Sequence, residues 1–327
     1  MKRSDKHIIF LVSLPRSGST LLQRILNAHS EIHSTAESWI LLPQFYAMRA
    51  GSVFSEYVHT TAAWAIRDFC DQLPGGKADY YRRSSECAVN LFADATPPDK
   101  NYFLEKTPRN NLIIDELISA FPGSRFVFLW RNPLACAASL IETFGNGRWN
   151  LYKSVVDLYD GLDNMTNALR NHGDRITSVR YEDLILNPDK VTNDLLSALN
   201  LAYEDELTTN FASIHYQSRV GDKSGVIRYS SLDSEPLHKW KRTLSPIARN
   251  IWARRYLRWI GPERISVMGY DYDELTTELE QVPRSLRGTG SDLFRMCYGT
   301  LERVLQLKIF RHMIRTRGSG RHFRRYI

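Results

Sequence analysis

The residues best suited to chemistry open the chain. Residues 7–37 read HIIFLVSLPRSGSTLLQRILNAHSEIHSTAE, with Arg16, Ser17, Gly18, Ser19 and Thr20 in one short loop and Glu37 at the far end. The apolar run from Ile8 to Leu14 predicts a buried strand, and after LPRSGST the residues Leu21, Leu22, Ile25 and Leu26 recur at helical spacing. Strand, loop and helix in that order make an anion-binding unit. The N–H groups of residues 17–20 converge on one point, and the positive end of the helix adds about 0.3–2 kcal/mol per negative charge. Against the triphosphate loop GxxxxGK[ST], Ser13 replaces the first glycine, Gly18 and Thr20 are kept, and Ser19 stands where the lysine belongs. That lysine spans the β and γ phosphates, so a loop without it suits a shorter anionic group. Arg16 supplies a charge instead.

Three later strand-like runs can bring more groups to the same loop. Asn101 to Glu105 runs into KTPRN and sets Lys106 at a strand's carboxyl end, where open α/β sheets collect ligand groups. Arg125 to Trp130 ends in RNP, in which Asn132 can cap a helix and Pro133 can take its first position. Ser139, two helical turns after Asn132, returns to the loop-facing side, so Arg131 and Ser139 can share one ligand. Arg175 to Arg180 leads into YEDLILNP, where Glu182 and Asp183 suit the first turn of the next helix. Between Trp39 and Asp94 the pattern is helical and predicts an insert that forms a lid or acceptor wall. Leu151 to Asn171 and Ser245 to Ile260 read as helices, Ser213 to Arg242 as a basic loop, and GYDYDEL as the end of the folded domain.

PRSGST, the Glu37 link, EKTPRN, RNPxxxxxS and RYEDL together resemble the sulfotransferases that use 3′-phosphoadenosine 5′-phosphosulfate (PAPS), closest to the tyrosylprotein branch and its bacterial relatives. The resemblance covers roughly residues 7 to 275. It implies a P-loop-type, doubly wound parallel α/β sheet of four to five strands flanked by helices, with the helical insert at about 39–94. It further implies that Arg16 and residues 17–20 hold the 5′ group, that Lys106 reaches the sulfonate, that Arg131 and Ser139 bind the 3′-phosphate and that Tyr181 lies near the adenosine phosphate. A late basic residue of the family closes over the nucleotide; Arg228 matches best, with Lys239, Lys241 and Arg242 as alternatives. Glu37 follows Arg16 by the family's spacing from loop arginine to catalytic glutamate, with Ala-Glu-Ser-Trp in place of Gly-Glu-Glu-Thr, and His33 is the fallback base. The small-molecule branch has a histidine where this chain has Pro108. An arginine that the family tends to carry one turn past Ser139 is here Thr143.

The 327 residues, 43% hydrophobic, can bury a large core, read as one domain at 1–283 and a tail at 284–327. The tail carries eleven Lys/Arg against two Asp/Glu; the rest has a net charge of −2, which argues against a basic nucleic-acid-binding domain. In the tail, Leu293, Phe294, Cys297, Leu301, Val304, Leu305 and Ile309 recur at three- and four-residue steps among arginines and a lysine. A basic amphipathic helix is predicted over Ser291 to Arg325 with a disordered end, whose apolar face packs on the domain, pairs with a second copy as a homodimer, or makes a peripheral membrane contact. No apolar run is long enough to span a membrane and no signal peptide is evident, so a cytoplasmic enzyme is expected, acting on a hydroxyl acceptor that is a glycan, a lipid-linked group or a tyrosine. Cys70, Cys87, Cys136 and Cys297 lie far apart, without metal-site spacing, and are expected to be free and mostly buried; no metal is implied. Two other functions compete. A P-loop kinase or ATPase would want a loop lysine and a strand-end aspartate for Mg²⁺. A catalytically silent nucleotide-binding scaffold would have no use for Glu37 and Lys106.

Overall fold

Five parallel strands carry the site. β1 (Ile8–Ser13), β2 (Ile32–His33), β3 (Tyr102–Glu105), β4 (Arg125–Trp130) and β5 (Ile176–Arg180) lie side by side in the order β2-β3-β1-β4-β5. The structure is a computed structural model and describes residues 1–51, 53, 55, 57–214, 216 and 235–305. β1 is central, with Ile8 opposite Phe103 of β3 and Ile9 opposite Arg125 of β4. Side chains alternate between the faces of the sheet. Ile8, Phe10, Val12, Phe126, Phe128 and Trp130 enter one core, and Ile9, Leu11, Val127 and Leu129 enter the other. A strand covered on both faces needs apolar residues at every position, which is why β1 and β4 read as unbroken runs.

The helices are α1 (Ser19–Asn27), α2 (Leu41–Tyr46), α3 (His59–Cys70), α4 (Lys77–Ala95), α5 (Ile114–Ala120), α6 (Pro133–Gly145), α7 (Leu162–His172), α8 (Tyr181–Leu186) and α9 (Pro188–Ala198). Further helices span Leu207–Asn210, Glu235–Thr243, Ile247–Val267, Tyr272–Glu280 and Thr289–Val304. The expected doubly wound parallel sheet is present, and α2 to α4 fill the predicted insert. Asn132 caps α6 as expected, its side chain accepting from the N–H groups of Leu134 and Ala135 at 2.9 and 3.4 Å.

Several expectations change. The stretch read as a basic loop over Ser213 to Arg242 ends in the helix Glu235–Thr243. The polar link after α1 contains β2, a two-residue edge strand paired with β3; so short a piece leaves no periodic trace. The single helix read over Leu151 to Asn171 is a 3-10 turn at Leu151–Lys153, a π turn at Asp157–Gly161 and then α7. The π turn turns Asp157 inward onto Arg109 and sets Gly161 against Asn111, where a Cβ would come within 2.5 Å of the amide nitrogen. All four cysteines are free, but only Cys70 and Cys136 are buried.

The helix Thr289–Val304 turns its small and acidic residues inward. Asp292 is buried and receives Arg249 Nε and Nη2 at 2.6 and 3.0 Å, and Gly299 lies under the Tyr152 ring. The apolar stripe of Leu293, Phe294, Leu301 and Val304 is exposed, and Cys297 and Leu305 with it. Ile309 and the rest of the tail lie outside the described residues. Removing one partner of a buried ion pair strands the other charge, so Asp292→Ala should lower unfolding stability by about 3 kcal/mol. Chemical denaturation checks this, and an unchanged midpoint would show that the contact does not hold the helix.

Candidate active site

The chain leaves β1 at Ser13 and turns sharply before α1. Arg16 (φ 70°) and Gly18 (φ 90°) both adopt left-handed backbone. At Gly18 the reason is contact as well as conformation: a Cβ there would sit 2.3 Å from the Tyr181 ring. The Ser17 N–H closes the turn onto the Leu14 carbonyl at 3.3 Å. Ser19 and Thr20, in the first turn of α1, have no intrahelical acceptor for their N–H groups.

The next motifs arrive from β4 and β5. The Arg131 Nη1 donates to the Arg16 carbonyl at 2.9 Å, and its guanidinium lies 4.4 Å over the Tyr181 ring. Arg16 Nε donates to Ser139 Oγ at 3.2 Å. Ser139, expected beside Arg131, therefore also meets the loop arginine. Glu182 does more than occupy a first turn: Oε1 accepts from the Asn132 N–H at 3.0 Å and Oε2 from the Tyr270 hydroxyl at 2.5 Å. That carboxylate fixes the turn carrying Arg131. Ser17 Oγ lies 3.3 Å from Cys136 Sγ, a thiol whose burial pushes its pKa up to about 11.

β3 delivers Lys106, buried, with Nζ donating to Glu37 Oε1 at 3.0 Å. The other carboxylate oxygen of Glu37 accepts from the Trp39 indole at 3.0 Å. Just before Lys106, Glu105 is fully buried and accepts from Thr107 Oγ1 at 2.7 Å and Asn110 Nδ2 at 3.3 Å; burial raises its carboxyl above the usual range, against the pull of those bonds. A cavity of about 570 Å³ opens over this group, lined by Arg16, Gly18, Ser19, Thr20, Glu37 and Lys106. Leu140, Phe144, Asn150, Lys153, Ser154 and the Arg109–Asp157 pair, whose two hydrogen bonds are 3.1 Å each, complete its wall. Such an arrangement can grip a compact anion at strand ends while a carboxylate faces a second molecule across the cavity.

Arg228 lies outside the described residues. His33 sits on β2, does not line the cavity, and burial together with Lys100 lowers its pKa, so the fallback base is away from Lys106. Lys241 pairs with Glu278 at 3.3 Å, and neither it, Lys239 nor Arg242 lines the cavity. Sequence reasoning missed Trp39, Thr107, Arg109 and Asp157. Thr107 and Arg109 stood inside KTPRN beside Lys106 and could have been found; Asp157 carried no signal, being separated from Arg109 by 48 positions.

A family model described as "Sulfotransferase family" matches residues 9–205. Among curated relatives, nodulation protein NoeE of Sinorhizobium fredii is 27% identical over 73% of this chain and 61% of its own length. Protein-tyrosine sulfotransferase 1 of Danio rerio is 22% identical over 79% of this chain and 66% of its own length, so the chain spans about three fifths to two thirds of these relatives. A sulfotransferase domain from the curacin biosynthetic pathway shares the fold, with a TM-score of 0.52, 22% identity, and coverage of 81% of this chain and 98% of that one. With more than half of its length matched by the family model, the chain belongs to the sulfotransferase family.

Proposed function

We propose that the protein transfers a sulfuryl group from PAPS to an acceptor hydroxyl, with Glu37 as general base. One observation carries the reading: the buried Lys106–Glu37 pair stands at the end of β3, in the same cavity as the Arg16 to Thr20 loop. The residues fit the donor. Cations at the ends of β1, β3 and β4 and the N–H groups of the first turn of α1 suit a molecule with anionic groups at two positions, and no loop lysine favours a triphosphate. On this reading Arg16 and residues 17–20 hold the 5′ group, Arg131, Ser139 and Tyr181 the 3′-phosphate side, and Arg228 the outer face of the nucleotide. Glu37 takes the proton of the acceptor hydroxyl, the freed electron pair forms the new oxygen–sulfur bond, and the bond from sulfur to the bridging phosphate oxygen breaks. Lys106 and Arg16 stabilise the charge left on that oxygen, as preorganised cations do in a water-poor site, and adenosine 3′,5′-bisphosphate leaves.

The lining outside the loop and the Lys106–Glu37 pair combines apolar Leu140 and Phe144 with hydrogen-bonding groups at Asn150, Ser154, Arg109 and Asp157. A hydroxylated ring, a sugar or a tyrosyl side chain, suits that mixture, and the name of the Danio rerio relative supports the tyrosyl case. A peripheral site of action at an anionic surface inside the cell is favoured by a further observation. Leu286, Phe294 and Val304 are more than 70% exposed on the segment that also exposes Arg284, Arg287 and Arg303. No described helix is long and apolar enough to cross a membrane. On this reading residues 284–327 act as a tail to the domain at 1–283, packed on it through the Arg249–Asp292 pair.

Adenosine 3′,5′-bisphosphate should bind far more tightly than ATP with Mg²⁺ in calorimetry, and Arg131→Ala should abolish that preference; equal affinities would overturn the donor assignment. Glu37→Gln should lower kcat by about 10²- to 10⁴-fold with bisphosphate affinity kept, whereas Lys106→Ala should damage both. Full turnover in Glu37→Gln would move the base elsewhere. Phe294→Glu combined with Leu301→Glu should abolish co-sedimentation with anionic liposomes while leaving transfer to a soluble acceptor intact. Equal recovery of both proteins in the supernatant would remove the membrane role.

A further inference from the structure

Trp39 is held in a conformation that its own side chain does not favour. Its φ of 56° lies in the left-handed region, which a bulky residue seldom adopts, and such outliers persist where the surroundings over-determine them. The Trp39 N–H donates to Thr107 Oγ1 at 3.3 Å, and its indole Nε1–H donates to Glu37 Oε2 at 3.0 Å. Thr107 uses its own hydroxyl proton on buried Glu105, at 2.7 Å, and Glu105 directly precedes Lys106. Lys106 Nζ returns to Glu37 Oε1 at 3.0 Å. The contacts close a ring through Glu37, Trp39, Thr107, Glu105 and Lys106. Within it the two oxygens of one carboxylate have different holders: a long flexible cation on Oε1, and on Oε2 an indole anchored at its backbone.

We infer that Trp39, latched by Thr107, is a positioning residue that keeps Glu37 Oε2 fixed while Oε1 passes from Lys106 to the acceptor hydroxyl. The inference rests on the reading of Glu37 as base. A carboxylate held by Lys106 alone would be free to swing once the lysine turned its ammonium to the sulfonate. The indole removes that freedom. Oε1 is then the oxygen that takes the proton, and Oε2 never leaves its partner.

Two substitutions remove the latch at different points. Trp39→Phe keeps an aromatic ring and deletes the N–H; Thr107→Val keeps the shape and deletes the hydroxyl, with Thr107→Ser as its rescue. The three readouts are kcat for transfer, the Kd of adenosine 3′,5′-bisphosphate, and the carbon-13 chemical shift of the Glu37 carboxyl, which reports its hydrogen bonding. The charged groups sharing the cavity with Glu37 are Arg16, Lys106, Arg109, Lys153 and Asp157, with Glu105 behind, and all stay in place in these variants. Trp39→Phe and Thr107→Val should each lower kcat by about 10- to 100-fold, the scale of a misplaced catalytic group, leave the bisphosphate Kd unchanged and move the Glu37 carboxyl resonance. Thr107→Ser should recover most of the lost kcat. If Trp39→Phe fails to fold, the Val and Ser variants decide. If Glu37→Gln abolishes transfer while kcat and the Glu37 carboxyl resonance in both latch variants match the parent protein, the positioning role is overturned and the base assignment stands. If Glu37→Gln transfers at full rate, the base assignment falls, and a shifted Glu37 carboxyl resonance in Trp39→Phe still upholds the indole's hold on the carboxylate, whereas an unmoved one overturns it.

Discussion

Cations gathered in one cleft repel one another, and the repulsion grows as water is excluded. The strand ends of this fold bring together Arg16, Lys106 and Arg131, and each is met by a group from a different part of the chain. Lys106 meets a carboxylate, Arg131 a backbone carbonyl and an aromatic face, Arg16 a hydroxyl. These neutralising contacts also join the elements: loop to α6, β4 to the loop, β3 to the link after β2. The electrostatic requirement of an anion site and the mechanical requirement of holding four strand ends in register are met by the same few bonds.

How much of this could be read from residues alone depended on the range of the signal. β1 and β4 were legible because burial on both faces makes a run of apolar residues unmistakable, and the loop, Lys106 and Arg131 were legible because each directly follows such a run. β2 was not, since two residues cannot show a period of two. Asp157 was not, because its meaning depends on Arg109, a partner brought near only by the packing of the π turn on the KTPRN turn. Glu182 was half legible: its position in a helix's first turn could be read, but its grip on Asn132 and Tyr270 belongs to tertiary structure.

The segment after Pro283 shows where a pattern misleads. Apolar spacing predicts a helix, and among the described residues one runs over Thr289–Val304, yet amphipathicity alone cannot say which face turns inward. Here a buried Arg249–Asp292 pair and the close approach of Gly299 to Tyr152 settle the matter in favour of the other face. Small size and one well-placed charge outweighed hydrophobic area, because the surface that receives the helix offers an arginine and an aromatic ring.

The π turn at Asp157–Gly161 has a consequence for how one rod of helix can serve two masters. A regular α-helix advances about 100° per residue, so any stripe of residues on it has a single phase from end to end. A wider turn accommodates an extra residue and resets that phase. At its first residue, Asp157, the turn faces the cavity; after it, Leu162 and Met165 face the core beside the sheet. The reset lets the same helix obey two angular registers, one dictated by chemistry and one by packing. A deletion of one residue within that turn would force the two registers into conflict along the whole of α7.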